Sequence, residues 1–224
     1  WPGPVLTISI EPDLEFNDRS GMSSSTRKKA VELWHTDIPD GDPQLLARTL
    51  FCLENPPGTT YVSGSQDAIG IVFPGLNRLD YAAGEYWPEK ITTVNDREVP
   101  GWLEQRLWFI TLPPRAGGFN VLDETNISVE GARALAESAD GVWKAVLARD
   151  IEGLGRSYKA SFEAQVAMFP LMKSRVVSET IDLYKDRALA WKLAGAGGGG
   201  YLAMVSERPI ENAIQIRIRR ERTV

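Results

Sequence analysis

Leu6, Ile8 and Ile10 alternate with Thr7 and Ser9, the period of two expected of a half-buried strand over Val5–Ile10. After a polar stretch, Ala30, Val31, Leu33 and Trp34 fall at helical spacing, which predicts a helix from about Ser24. Asp42-Pro43 is a helix start, a capping carboxylate followed by a proline in the first turn. Leu45, Leu46, Ala47, Leu50, Phe51 and Leu53 give that helix its apolar stripe, and Asn55-Pro56-Pro57-Gly58 ends it. Ile71 to Pro74 reads as a short apolar turn, and Leu76–Tyr81 and Lys90–Val94 read as strands. Trp102-Leu103 and the apolar run Leu107–Leu112 open a second subdomain. Three helical segments are expected from Ser128 to about Lys185, broken at Asp150 and Pro170. Strands Ala188–Leu193 and Tyr201–Val205 follow, and Ile214, Ile216 and Ile218 alternate with Gln215, Arg217 and Arg219 in a closing strand whose arginines form a solvated face.

Between the two strands before that last one lies Lys192-Leu-Ala-Gly-Ala-Gly-Gly-Gly-Gly-Tyr201, glycine at five of ten positions. Glycine loses the most backbone entropy on folding, so such a run inside a domain needs a reason. A flexible linker would mix glycine with serine and would not be bounded by apolar strands. A loop whose backbone closely approaches a ligand, with N–H groups turned inward around an anion, accounts for the pattern better.

Composition narrows the function. With 43% hydrophobic residues over 224 positions the chain can supply a real core, and a net charge of −5 argues against a general nucleic-acid surface. A bound nucleotide needs only a few local cations and N–H groups. One cysteine, Cys52, excludes an internal disulfide framework, and His35 as the one histidine leaves little room for a histidine triad or a Cys/His metal site. No apolar run of membrane-spanning length and no leader pattern is visible, so a cytoplasmic protein without a membrane partner is expected.

Two further stretches carry candidate chemistry. Gly21-Met22-Ser23-Ser24-Ser25-Thr26 runs into the first helix, where outward-pointing N–H groups, the dipole and hydroxyls suit a phosphate; a serine-rich cap explains the same residues. Arg27-Lys28-Lys29 then faces either phosphate or solvent. Ser63-Gly64-Ser65-Gln66-Asp67-Ala68-Ile69-Gly70 reads locally as a glycine turn followed by a helix cap.

The glycine segment resembles the C-terminal motif of the GHMP kinases, the superfamily of galactokinase, homoserine kinase and mevalonate kinase. The serine loop resembles that family's Gly-Leu-Gly-Ser-Ser-Ser, with Ser23 in place of the second glycine. Ser63–Gly70 resembles the Gly-x-x-Gln-Asp-Gln-x-Gly of the fucose and heptose kinase branch, with Ala68 in place of the second glutamine. The family's first motif, Pro-x-Arg followed by a glycine pair, is not among these residues. The resemblance implies an α+β GHMP fold: a ribosomal-protein-like domain over 1–104 lacking its first segment, then a ferredoxin-like domain over 105–224, with the site between them. It implies ATP and Mg2+ as cofactors and phosphoryl transfer to a sugar hydroxyl. Gly21, Met22, Ser23, Ser24, Ser25 and Thr26 would cradle phosphates, Ser25 and Glu54 would hold the metal, and Asp67 would act on the acceptor hydroxyl. Gly195, Ala196, Gly197, Gly198, Gly199 and Gly200 would shape the site. Arg115, where the branch has a Thr-Gly-x-x-Arg segment, is either a substrate contact or a surface arginine, and Glu54 is either a metal ligand or a surface carboxylate. A non-catalytic nucleotide- or sugar-binding regulator of the same fold is the alternative function, and monomer and homodimer both stay open.

Overall fold

The computed structural model describes residues 2–11, 22–35, 37–114, 117–195 and 197–220. Contacts divide them into two compact units: one holds the residues up to Glu11, 23–100 and Arg217 onward, the other 101–216 with Met22.

In the first unit, β1 (Gly3–Ile8), β3 (Leu76–Tyr81) and β4 (Lys90–Val94) form an antiparallel sheet in the order β1-β3-β4. The strand expected over Val5–Ile10 breaks at Ser9. The Ser9 N–H donates to the Gly75 carbonyl at 3.0 Å and its carbonyl accepts from the Arg219 N–H at 3.0 Å, which turns β2 (Ile10–Glu11) away from β3. There β2 pairs with β9 (Arg217–Ile218). Three helices complete the unit: α1 (Ser24–Trp34), α2 (Pro43–Glu54) and α3 (Gln66–Val72). The Asp42 carboxylate caps α2 by accepting from the Gln44 N–H at 2.9 Å, as its position before Pro43 predicts. Ala30, Ala47, Leu50, Ala68, Ile69, Ile71, Val72, Phe73 and Leu79 form the core. Ile71 and Val72, expected in a turn, close α3 instead, because burial of both against the sheet favours the continued helix.

Helix α4 (Glu98–Glu104) holds Trp102 and Leu103 and carries the chain into the second unit. Its antiparallel sheet runs β6-β7-β5-β8, from β5 (Leu107–Thr111), β6 (Ala190–Leu193), β7 (Tyr201–Val205) and β8 (Ile214–Gln215). The helices α5 (Val129–Ala148), α6 (Ile151–Met168) and α7 (Arg175–Tyr184) start at capping side chains, Ser128, Asp150 and Ser174, which accept from the N–H groups of Gly131, Gly153 and Val177. Trp108, Ile110, Leu202 and Met204 from the sheet pack with Phe162, Met172, Val177 and Ile181.

The closing strand read from the alternation of Ile214, Ile216 and Ile218 is two strands. β8 pairs with β5 in the second unit and β9 with β2 in the first, so period two continues across a change of partner. Nor is Arg219 a solvated residue: its guanidinium donates to the carbonyls of Ile71 and Val72 at 2.7 and 2.8 Å and to Ser9 Oγ at 3.0 Å. It satisfies carbonyls that the end of α3 leaves without helical partners, and a cation suits the negative end of a helix. The architecture is α+β.

Candidate functional site

In the first unit, the start of α1 is the focus of the polar groups. Ser23 precedes the helix in the left-handed region, φ 56° and ψ 36°, a conformation that glycine adopts without strain. Serine therefore keeps the backbone path that a glycine would supply, and its side chain gains a role: it hydrogen-bonds Asp67. Asp67 sits in the first turn of α3. Burial raises its carboxyl above the ordinary value near 3.8; the bond from Ser23 opposes the shift, the negative charge of Glu54 adds to it, and the positive charge of Arg27 opposes it.

Glu54 ends α2, where its own helix disfavours a carboxylate. The tertiary structure supplies the compensation. Thr26 Oγ1 donates to the Glu54 carboxylate at 2.8–2.9 Å, and Ser25 Oγ lies 3.2 Å from Glu54 Oε1, so the carboxylate rests on the positive end of α1. Thr26 is fully buried and Arg27 is 5% exposed, while Lys28 is exposed and Lys29 pairs with Glu32 on the surface. The basic run thus divides: one buried cation acts on Asp67 and two belong to the solvated face.

The Ser25 and Glu54 oxygens fit a hard cation. Two neighbouring ligands each about 2.1 Å from Mg2+ would lie roughly 3 Å apart, close to their spacing here. Among the described residues no three His, Cys, Asp or Glu side chains converge on one point. Mg2+ characteristically takes one or two carboxylates and completes its shell with water and phosphate oxygens.

Tyr81, at the end of β3, and Ser65, before α3, also belong to this cluster and were not singled out by sequence. Ser65 is fully buried; its Oγ donates to the Tyr86 carbonyl at 2.5 Å and lies 2.8 Å from the Tyr81 hydroxyl. The one available sequence signal was that Ser65 directly precedes Gln66-Asp67.

In the second unit, the glycine segment is the tied connection between β6 and β7. Ala194 N–H donates to the Tyr201 carbonyl, and Leu112 N–H to the Gly200 carbonyl. Gly195, Gly197, Gly198 and Gly200 all have positive φ, between 65° and 87°. A Cβ on Gly198 would lie 2.6 Å from the Phe119 ring, and one on Gly197 would lie 2.9 Å from Met172 Cβ. Close approach is therefore real, but at these two positions it is made by the protein's own side chains. Gly198 and Gly200 donate their N–H groups to the carbonyls of Met172 and Pro113. An anion at this loop would have to use other donors. Lys192, at the loop's entrance, bonds Gln165, and burial lowers its ammonium to about 8.

Ser23, Ser25, Thr26, Glu54 and Asp67 are thus brought together; Met22 and Ser24 are half-buried beside them in sequence. Gly21, Arg115 and Ala196 lie outside the described residues.

No protein-family model matches the chain. Over 216 residues, 90% of the chain, it is 25% identical to a bifunctional fucokinase/GDP-fucose pyrophosphorylase of Arabidopsis thaliana. Over 63 residues, 28% of the chain, it is 43% identical to an L-fucokinase/L-fucose-1-P guanylyltransferase of Bacteroides fragilis. The matches span 20% and 6% of those two proteins. Among solved structures, a mevalonate kinase aligns with a TM-score of 0.63 at 16% identity, covering 92% of this chain and 68% of that one. A D-glycero-D-manno-heptose 1-phosphate kinase of Bacteroides thetaiotaomicron aligns with a TM-score of 0.53 at 12% identity, covering 97% and 84%. At such identities the structural likeness speaks for the fold.

Proposed function

We propose that this chain, which has the fold of the GHMP kinases and is related to that superfamily, forms the phosphoryl-transfer part of an ATP-dependent sugar kinase. The observation that carries the reading is the meeting of Asp67 with the start of α1: a carboxyl raised by burial, bonded to Ser23, beside hydroxyls and a helix N-terminus. A helix N-terminus suits phosphate oxygens, and a carboxyl raised by burial suits a general base. The fucokinase activity named for both sequence relatives points to a sugar as acceptor.

In this reading the N–H groups of Ser24 and Ser25 hold the phosphates, fully buried Thr26 braces Glu54 behind them, and Arg27 offsets the negative charge that gathers there. Ser25 and Glu54 would hold Mg2+, which supplies charge neutralisation for the transferring phosphoryl group. Asp67 accepts a hydrogen bond from the acceptor hydroxyl, aligns its oxygen and takes its proton as the new P–O bond forms. Catalysis of this kind rests on positioning and electrostatics.

The test is ADP release by the intact protein with L-fucose, a heptose phosphate and D-galactose supplied separately. Sugar-dependent release is expected, and Asp67→Asn should lower kcat by about 10² to 10⁴ with little change in ATP affinity. The rival is a binder of nucleotide and sugar without turnover, favoured by the glycine-loop N–H groups already held by Met172 and Pro113. Absence of ADP release, or turnover that survives Asp67→Asn within a few-fold, would decide for the rival or remove Asp67 from its role.

A further inference from the structure

Ser65 has one hydroxyl proton, and the Tyr86 carbonyl takes it, since a carbonyl can only accept. The bond between Ser65 Oγ and Tyr81 therefore has a determined direction: the Tyr81 phenol is the donor. With its proton held on a fully buried serine, the Tyr81 oxygen offers lone pairs and nothing else. Tyr81 is half-buried at the end of β3, and the Ser65 that orients its hydroxyl stands two residues before Asp67. The two groups also sense one another, because the negative charge of Asp67 adds to the upward shift that burial imposes on the phenol. Tyr81 thus stays protonated at neutral pH and keeps its acceptor character.

We propose that Tyr81 is a specificity residue that accepts a hydrogen bond from a second hydroxyl of a polyhydroxy substrate, adjacent to the hydroxyl that Asp67 engages. The proposal rests on the sugar-kinase reading for the identity of its ligand. Two acceptors on one site select a diol: a simple alcohol satisfies Asp67 and leaves Tyr81 without a donor. A buried or half-buried acceptor left unmatched costs more than the bond gains, so such a pair discriminates against the deoxy analogue. The buried bond to Ser65 makes the selection rigid, for the phenol cannot rotate to become a donor without leaving Ser65 Oγ.

The experiment is calorimetric binding of L-fucose, D-galactose and their monodeoxy derivatives to the intact wild-type protein and to Tyr81→Phe, with ADP release measured alongside. In the wild type, one deoxy position is expected to weaken binding about tenfold, the size of one hydrogen bond. In Tyr81→Phe, the parent sugar should weaken by a similar factor and that same deoxy analogue should bind as the parent does. Thermal melting of the variant separates this from loss of the fold, since Phe keeps the ring and Ser65 keeps the Tyr86 carbonyl. A variant in which every deoxy penalty persists unchanged overturns the proposal, leaving Tyr81 only as a tie for the loop over 82–89. Tyr81-dependent sugar binding without ADP release sustains Tyr81 and removes phosphoryl transfer. Turnover with unchanged deoxy penalties does the reverse, and failure of the wild type to bind either sugar overturns both.

Discussion

A single backbone conformation at Ser23 links strain to chemistry. A non-glycine residue in the left-handed region costs roughly 1–2 kcal/mol, and the return is a side chain aimed at Asp67. Replacing Ser23 by glycine should relieve the strain and delete the bond. That bond lowers the Asp67 pKa, so its loss raises it, and the ionised base then appears only at higher pH. The acid limb of the kcat/KM profile should accordingly move to higher pH in Ser23→Gly; a limb that stays in place would disconnect Ser23 from the base. Asp67 also makes a stability statement. Its folded pKa lies above its ordinary value near 3.8, so ionisation is penalised in the folded state. Stability from this group is complete below that value and declines as pH rises through the folded pKa. Asp67→Asn should therefore melt higher than the wild type at neutral pH while losing turnover, a result read directly from paired melting and ADP-release measurements.

Among the elements, the β6–β7 connection shows why glycine is required. At Gly198 a methyl group meets two obstacles: φ of 72° and the Phe119 ring. The first should cost roughly 1–2 kcal/mol and the second roughly 1–3 kcal/mol. Gly198→Ala should thus lose both contributions in the wild-type background and only the first in a Phe119→Ala background, as measured by urea unfolding. Equal losses in the two backgrounds would show that the ring is not what limits this position. Helix α3 makes a parallel point, since its final carbonyls are satisfied by Arg219 from the far end of the chain. An element of seven residues has too few internal bonds to stand alone and depends on such clips.

For the molecule as a whole, the two units have separate cores, one around Leu79 and Ile69 and the other around Met204 and Leu202. Both Leu79 and Met204 are fully buried. Truncating either to alanine should cost roughly 2–5 kcal/mol, but in different units. Calorimetry should show Leu79→Ala lowering one transition and Met204→Ala another. A single transition shifted equally by both would mean that the units unfold as one. The described helices include none long and apolar enough to cross a membrane. The chain spans 20% of the length of the Arabidopsis relative, so the activity of the whole protein stays with the proposal above.

The parts legible in the sequence were those with local causes. Asp42-Pro43 starts α2 and Asp150 starts α6, because a capping carboxylate satisfies N–H groups two or three residues away. The strands expected over Leu76–Tyr81, Lys90–Val94 and Tyr201–Val205 are β3, β4 and β7, short segments set off by turn residues in their own neighbourhood. The Gln66-Asp67 pair, the serine loop and the glycine segment were visible as motifs. Only the tertiary structure decided what each meets. Thr26 and Glu54 are 28 residues apart and Ser65 and Tyr81 are 16 apart, and their pairing depends on which helices pack and which strands share a sheet. Arg27 and Lys28 look alike in sequence, yet one is buried where its charge acts on Asp67 and the other is exposed. Ile214 and Ile218 share one alternation and belong to different sheets. Caps and periods act within a few residues, whereas burial and partner choice are set by the packing of the whole chain.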